Sequence, residues 1–122
     1  MKTILIIEDN PEILENTSEI LELDGFGVLN AENGKVGLKM AIESRPDIIL
    51  CDIMMPEVDG YEVLRELKRR SETSSIPFIY VTASGENNEV KLAMDLGASG
   101  FIRKPFDVKE LLKIVNKYLD GD

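Results

Sequence analysis

A three-layer α/β fold, with five parallel strands alternating with five helices, is predicted by three observations. Short apolar runs recur along the 122 residues, separated by stretches of helical period, which is the pattern of repeated strand-helix units. The runs Ile4 to Ile7 and Ile48 to Cys51 are apolar at successive positions, as strands covered by helices on both faces must be. Four of the runs stop at a polar residue for which a buried strand has no use: Glu8-Asp9, Asp52, Thr82 and Lys104. In an open parallel sheet the carboxyl ends of the strands share one edge, where such folds bind ligands. Three acids, a hydroxyl and an ammonium therefore converge there.

The elements follow in order. After the first run, Asn10 is a side-chain cap and Pro11 occupies the first helical position, opening a helix with Ile13, Leu14, Thr17, Ile20 and Leu21 on its inner face. Gly25 closes it. Gly27 to Ala31 is a weak second strand, and Asn33 caps a helix that runs to about Ser44. Arg45-Pro46 is a break, because a residue before proline leaves the helical region, and the third strand follows at Asp47 to Cys51. A loop from Asp52 to Asp59 leads to a helix from Gly60 to about Arg70 with Leu64 and Leu67 inward. Pro77 marks the start of the fourth strand, and a helix from about Glu86 to Leu96 ends at Gly97. The fifth strand is short. The last helix carries Val108, Leu111, Leu112, Val115 and Leu119 at spacings of three and four, the clearest amphipathic pattern in the chain.

Composition excludes several function classes. Hydrophobic residues at 43% and charged residues at 30% suit one globular domain, large enough to bury roughly two thirds of its unfolded surface. No run approaches the roughly 20 apolar residues of a membrane span, and the N-terminus lacks a secretory hydrophobic region. A cytoplasmic location and no membrane partner are expected. The net charge of −9 argues against direct nucleic-acid binding, which needs a basic surface. Cys51 is the single cysteine and reads as a small core filler. With no histidine in the sequence, the chain cannot itself be a phosphohistidine donor.

If the first and third strands are neighbours, about 4.8 Å apart, Asp9 and Asp52 end side by side and repel. Either one acid is protonated or a hard divalent cation takes their oxygens, and Mg²⁺ suits a site of a few carboxylates, a carbonyl and waters. Mg²⁺ is the favoured ion, with Mn²⁺ as a substitute. Other residues have plainer readings. Asp59-Gly60 is a turn, Glu57 and Asp107 are surface or cap residues, and Met54-Met55 is loop packing, since thioethers suit soft metals.

The stretch Asp52-Ile53-Met54-Met55-Pro56-Glu57-Val58-Asp59-Gly60, with Glu8-Asp9, Thr82-Ala83 and Lys104-Pro105-Phe106, resembles the receiver domain of bacterial response regulators. The likeness covers essentially the whole chain, read as a single domain over 1–122 with no output domain. It implies the flavodoxin-like (βα)5 fold with strand order 2-1-3-4-5. It also implies that Asp52 is the phosphoacceptor, taking a phosphoryl group from the phosphohistidine of a sensor histidine kinase or a histidine phosphotransfer protein. Such a chain is a signalling switch of a two-component or phosphorelay system rather than an enzyme acting on a separate substrate. By the resemblance Asp9 and Asp52 hold the metal directly, the backbone carbonyl of Met54 adds an oxygen, and Glu8 acts directly or through water. Lys104, Thr82 and the amide of Ala83 meet the phosphoryl group.

Charge counting supports that set. Three carboxylates carry about −3, Mg²⁺ with Lys104 about +3, and phosphorylation adds roughly one net negative charge that donors such as Thr82 must meet. The resemblance further implies a cis Lys104-Pro105 bond and a switch in which Phe101 turns inward. The output surface for a downstream protein would be the fourth helix, fifth strand and fifth helix, on a monomer or a weak, phosphorylation-dependent dimer.

Two departures narrow the subgroup. Ser99-Gly100 stands where many receivers joined to winged-helix domains carry a pair of acids used in dimer salt bridges, so that dimer mode is not expected. Met54 and Ser84 flank the phosphoryl site by the family pattern, and neither is expected to speed dephosphorylation. Rival readings fit less well. A Mg²⁺-dependent phosphatase with an aspartyl-phosphate intermediate needs Asp-x-Asp after the first strand, where this chain has Glu8-Asp9-Asn10. A flavin carrier needs a hydroxyl- and glycine-rich phosphate loop there, and no nucleotide loop of the G-x-x-x-x-G-K type exists.

Overall fold

The computed structural model describes residues 1–83 and 87–119. In chain order these form β1 (Thr3–Ile7), α1 (Pro11–Leu23), β2 (Gly27–Ala31), α2 (Gly34–Ser44), β3 (Ile48–Asp52), α3 (Gly60–Lys68), β4 (Phe78–Thr82), α4 (Asn87–Asp95), β5 (Gly100–Arg103) and α5 (Val108–Leu119). All strand pairs are parallel, in the order β2-β1-β3-β4-β5. That is the fold and order the sequence predicts. No described helix is long and apolar enough to cross a membrane.

Successive side chains of a strand point to opposite faces, and the two cores follow that alternation. Leu5, Ile7, Ile49 and Cys51 pack with Val63, Leu64 and Leu67 of α3 and Ala93 of α4. Ile4, Ile6, Ile48 and Leu50 pack with Leu14 and Leu21 of α1 and Leu111 and Val115 of α5. The helix starts use local chemistry. Asn10 caps α1 by accepting from the Glu12 and Ile13 amides, Asn33 caps α2 through the Val36 amide, and Asp59 caps α3 through the Glu62 amide. Asp107 accepts from the Glu110 amide at 2.7 Å while Glu110 accepts from the Asp107 amide at 3.4 Å, a reciprocal arrangement at the start of α5.

The structure differs from the sequence reading at the bounds of β3 and α3 and in the burial of Val108. β3 runs from Ile48 through Asp52 rather than from Asp47 to Cys51. The Asp47 carboxylate accepts from the Thr3 amide at 2.7 Å and its own amide donates to the Thr3 carbonyl, so Asp47 ties down the strand's entrance, while Asp52 stays in the ladder opposite Val81. α3 ends at Lys68, not near Arg70. The Thr73 hydroxyl donates to the Leu67 carbonyl and the Lys68 ammonium to the Ser74 carbonyl, which turns the chain toward β4. Val108, placed on the inner face of the last helix by its spacing, is 50% exposed, while Leu111, one turn on, is fully buried. α4 begins at Asn87; Glu86, the expected start, lies outside the described residues.

Gly60 fixes the loop that follows β3. Its amide donates to the Ile53 carbonyl at 2.9 Å, and a Cβ there would lie 2.5 Å from the Asp52 carbonyl oxygen and 2.9 Å from Ile53 Cα. Only a glycine lets α3 start this close to the end of β3.

Candidate functional site

Parallel register does most of the positioning. β1 and β3 pair with Ile7 opposite Cys51, so the residues that follow, Glu8-Asp9 and Asp52, emerge side by side. Carboxylate oxygens of Glu8, Asp9 and Asp52 lie within 4.8 Å of one another. β5 brings in the ammonium. Lys104 follows Arg103, which pairs with Thr82, its amide donates to the Thr82 carbonyl at 2.7 Å, and its Nζ lies 2.7 Å from Glu8 Oε1 and 3.2 Å from Asp52 Oδ2. The Lys104-Pro105 bond is cis.

Glu8 and Asp52 are buried and Asp9 is exposed. Burial pushes the Glu8 carboxyl up to about 7; the hydrogen bonds from Lys104 and the Asn10 amide oppose that, and the charge of Asp52 adds to it. Burial also opposes the Lys104 charge, but its hydrogen bond to Glu8 and the charges of Asp52 and Glu8 outweigh burial, so its pKa is raised. One ammonium is thus divided between two buried carboxylates, with a third beside them. Three carboxylates against one lysine leave a formal excess of about −2. The donors are hard oxygens, the set that suits Mg²⁺, and a divalent ion matches the excess, so these residues fit such an ion. Burial pushes the Cys51 thiol well up, with the charges of Asp52, Glu8 and Asp59 adding to it, as suits an inert core residue.

The other expected site residues are placed as follows. Ile53 is buried, while the Met54 side chain is 73% exposed. Thr82 is buried, and its hydroxyl donates to Glu89 Oε2 of α4 at 3.3 Å. Ala83 is exposed and lines, with Ile13, Ile20, Lys104, Pro105 and Phe106, a groove of about 680 Å³ between α1 and the β5–α5 connection. Phe101 is 37% exposed and borders a second groove with Arg103, Lys113 and Lys117. Ser84, expected to flank the phosphoryl site, lies outside the described residues. Two features were missed from sequence. Lys104 is nearer to Glu8 than to Asp52, and Glu89 reaches Thr82 from the helix that follows it. A helical glutamate seven residues after a strand-end threonine carries no signal of its own.

Ser99-Gly100 has a packing role. The Tyr118 hydroxyl donates to the Ser99 carbonyl at 2.7 Å, the Ser99 hydroxyl accepts from the Phe78 amide at 3.2 Å, and a Cβ at Gly100 would meet the Tyr118 hydroxyl at 2.9 Å. The space beside β5 is filled by Tyr118.

Against known proteins, the family model of the response regulator receiver domain matches residues 4–116. The chain is 40% identical over 119 residues to the DNA-binding dual master transcriptional regulator RpaA of Synechocystis, covering 98% of this chain and 49% of that protein. It is 38% identical over 121 residues to the protein PilH of Pseudomonas aeruginosa, covering 99% and 100%. The chain therefore spans about half the length of RpaA and the full length of PilH. Among solved structures, the chemotaxis protein CheY4 of Vibrio cholerae superposes with a TM-score of 0.94 at 28% identity, covering 98% of this chain and 99% of that one. The signal receiver domain of a histidine kinase from Syntrophus aciditrophicus gives 0.91 at 35%, covering 99% and 92%.

Proposed function

Because the chain belongs to the response regulator receiver domain family, we propose that it acts as a phosphoacceptor switch whose acceptor atom is a carboxylate oxygen of Asp52. The observation that carries this reading is the setting of Asp52. It is a buried carboxylate fixed in the β3 ladder, with an ammonium at 3.2 Å and two further carboxylates within 4.8 Å. A carboxylate is a weak nucleophile toward a phosphoryl group that already carries negative charge, so positioning and charge neutralisation must supply the catalysis.

In the transfer, an Asp52 oxygen forms the new bond to phosphorus while the bond from phosphorus to the imidazole nitrogen of the donor histidine breaks, and the electron pair leaves with the imidazole. Lys104 stays beside Asp52 and neutralises part of the arriving charge. Mg²⁺, held by Asp9, Asp52 and the Met54 carbonyl, with Glu8 direct or through water, would supply the remaining positive charge. The Thr82 hydroxyl and Ala83 amide donate to the transferred group. The donor is a sensor histidine kinase or a histidine phosphotransfer protein; the groove beside Ala83 and Lys104 opens onto the acceptor edge and offers it apolar surface. The downstream protein reads α4, β5 and α5, where Phe101 is half out of the core. The chain catalyses only its own phosphorylation and dephosphorylation.

The test is incubation with acetyl phosphate, with and without Mg²⁺, followed by intact mass. A metal-dependent gain of one phosphoryl group is expected, absent in Asp52→Ala. Labelling that persists in Asp52→Ala would sink the assignment.

A further inference from the structure

Two glycines of α2 stand against the two chain segments that carry the metal-binding oxygens. Neither Gly34 nor Gly37 has a positive φ, and both lie within α2, where alanine loses less conformational freedom. Backbone conformation therefore gives no reason for glycine at either position; space does. A Cβ at Gly34 would collide with the Val58 carbonyl oxygen and meet Val58 Cβ and Cγ1 at 3.0 Å, and a Cβ at Gly37 would lie 2.5 Å from Ile7 Cδ1 and 2.6 Å from Ile7 Cγ1. Ile7 is the last residue of β1, immediately before Glu8-Asp9. Val58 belongs to the loop between β3 and α3, which also contains Met54.

That loop needs support where Gly34 meets it. The Val58 amide donates to the Pro56 carbonyl at 2.9 Å across Glu57, whose φ is +65°, a three-residue turn with its central residue in the left-handed region, which is rare and strained. Such a turn persists only where its surroundings over-determine it, and α2 is packed on its last residue. Asp52, in contrast, is held by the β3 ladder opposite Val81. The acceptor and the loop beyond it thus depend on different supports.

We propose that Gly34 and Gly37 are positioning residues for the metal, because their missing side chains let α2 press on Val58 and Ile7 at once and so fix the Met54 carbonyl relative to the Glu8-Asp9 carboxylates. This rests on the reading of the acidic edge as a Mg²⁺ site and adds the support behind it. Mg²⁺ demands a near-ideal arrangement of oxygens, so a small displacement of the loop or of the end of β1 costs affinity. The glycines act through Val58 and Ile7 and touch neither the ion nor a reacting atom.

The test compares wild type, Gly34→Ala, Gly37→Ala and Gly37→Ala/Ile7→Val, with Leu21→Ala as a control for lost stability, since it opens a cavity at a fully buried position near the far end of α1. Calorimetric titration with Mg²⁺, on variants shown to be folded by circular dichroism, should give binding about tenfold weaker in Gly34→Ala and in Gly37→Ala. Ile7→Val removes the atom nearest the new methyl, so the double variant should recover part of the affinity lost in Gly37→Ala. Leu21→Ala should lower the urea midpoint and leave the Mg²⁺ affinity unchanged. Should Gly34→Ala not fold, the Gly37 pair decides. With acetyl phosphate, the glycine variants should lag wild type about tenfold at Mg²⁺ well below its wild-type Kd and approach wild type at saturating Mg²⁺, because Asp52 keeps its place in the ladder. A wild-type Kd in either glycine variant, no recovery in the Ile7→Val background, an equal loss of affinity in Leu21→Ala, or a lag that persists at saturating Mg²⁺ would overturn the proposal. Failure of wild type to bind Mg²⁺ would overturn the metal reading itself and this inference with it, and the wild-type titration alone tells that case from the others.

Discussion

Glu8 lies 2.7 Å from an ammonium and still has its pKa pushed up to about 7; the cause is burial, with a second carboxylate sharing the same lysine. The consequence for folding has a definite sign. Between an unfolded value of 4.5 and a folded value of about 7, the folded chain binds a proton that the unfolded chain has released. The stability from this group is therefore fully present below the unfolded value and is lost as pH rises to about 7 in metal-free protein. Metal binding has the opposite sign, because a ligand or near neighbour of the ion must be ionised. Calorimetric titration with Mg²⁺ should show affinity falling by up to about tenfold per pH unit below about pH 7. In Glu8→Gln that dependence should flatten; an equally steep profile in the variant would show that another group titrates. At this scale the residue types at the site were legible, because acids and a lysine at the ends of apolar runs have no other use. Their pairing was not. That Lys104 divides itself between Glu8 and Asp52 depends on side-chain reach across three strands, and spacing in sequence does not encode it.

The β3–α3 connection shows how an element can be built around one side chain. Asp52 closes the strand, Gly60 returns its amide to Ile53, and Asp59 caps the helix. Gly60→Ala would force a methyl against the Asp52 carbonyl and Ile53 Cα, both backbone atoms with little freedom to retreat. A loss of about 2 kcal/mol, and more if the loop does not relax, is expected in urea unfolding, with slower phosphorylation because Asp52 shifts. A midpoint equal to wild type would mean that the loop adapts at no cost. Here the sequence served well where capping chemistry is local: Asn10 and Asn33 mark their helices by themselves, whereas Asp59, read as part of a turn, caps α3. It misplaced Val108, whose spacing matches the inner stripe but which is half exposed, because periodicity gives a direction around a helix but not the depth at which each turn is covered. Ser99-Gly100 was read as the absence of an acidic pair. Tyr118 supplies its packing reason, and that residue lies 18 positions further on.

On the scale of the whole molecule, a net charge of −9 makes a bound cation favourable for the folded state beyond the local site, since the same acids in the unfolded chain are dispersed. Mg²⁺ at about 100 times its Kd should stabilise by about 2.7 kcal/mol, which for a domain of this size raises Tm by about 10 °C. The shift should be absent in Asp9→Ala/Asp52→Ala and reversed by a chelator; a similar shift in that double variant would point to diffuse surface binding. Apolar runs, helix caps and breaks settled the five strand-helix units and the acidic edge without any structure, because each rests on chemistry within a few residues. The resemblance carried by Asp52 to Gly60, Glu8-Asp9, Thr82-Ala83 and Lys104-Pro105 added the strand order and the role proposed for the edge. Only the tertiary structure decided how the charges at that edge are shared and to what Thr82 is bound. Lys104 serves two acids at once, and the Thr82 hydroxyl reaches Glu89 on a helix with one buried side chain among those described. Both depend on distances between elements far apart in the chain, which packing fixes and local sequence does not.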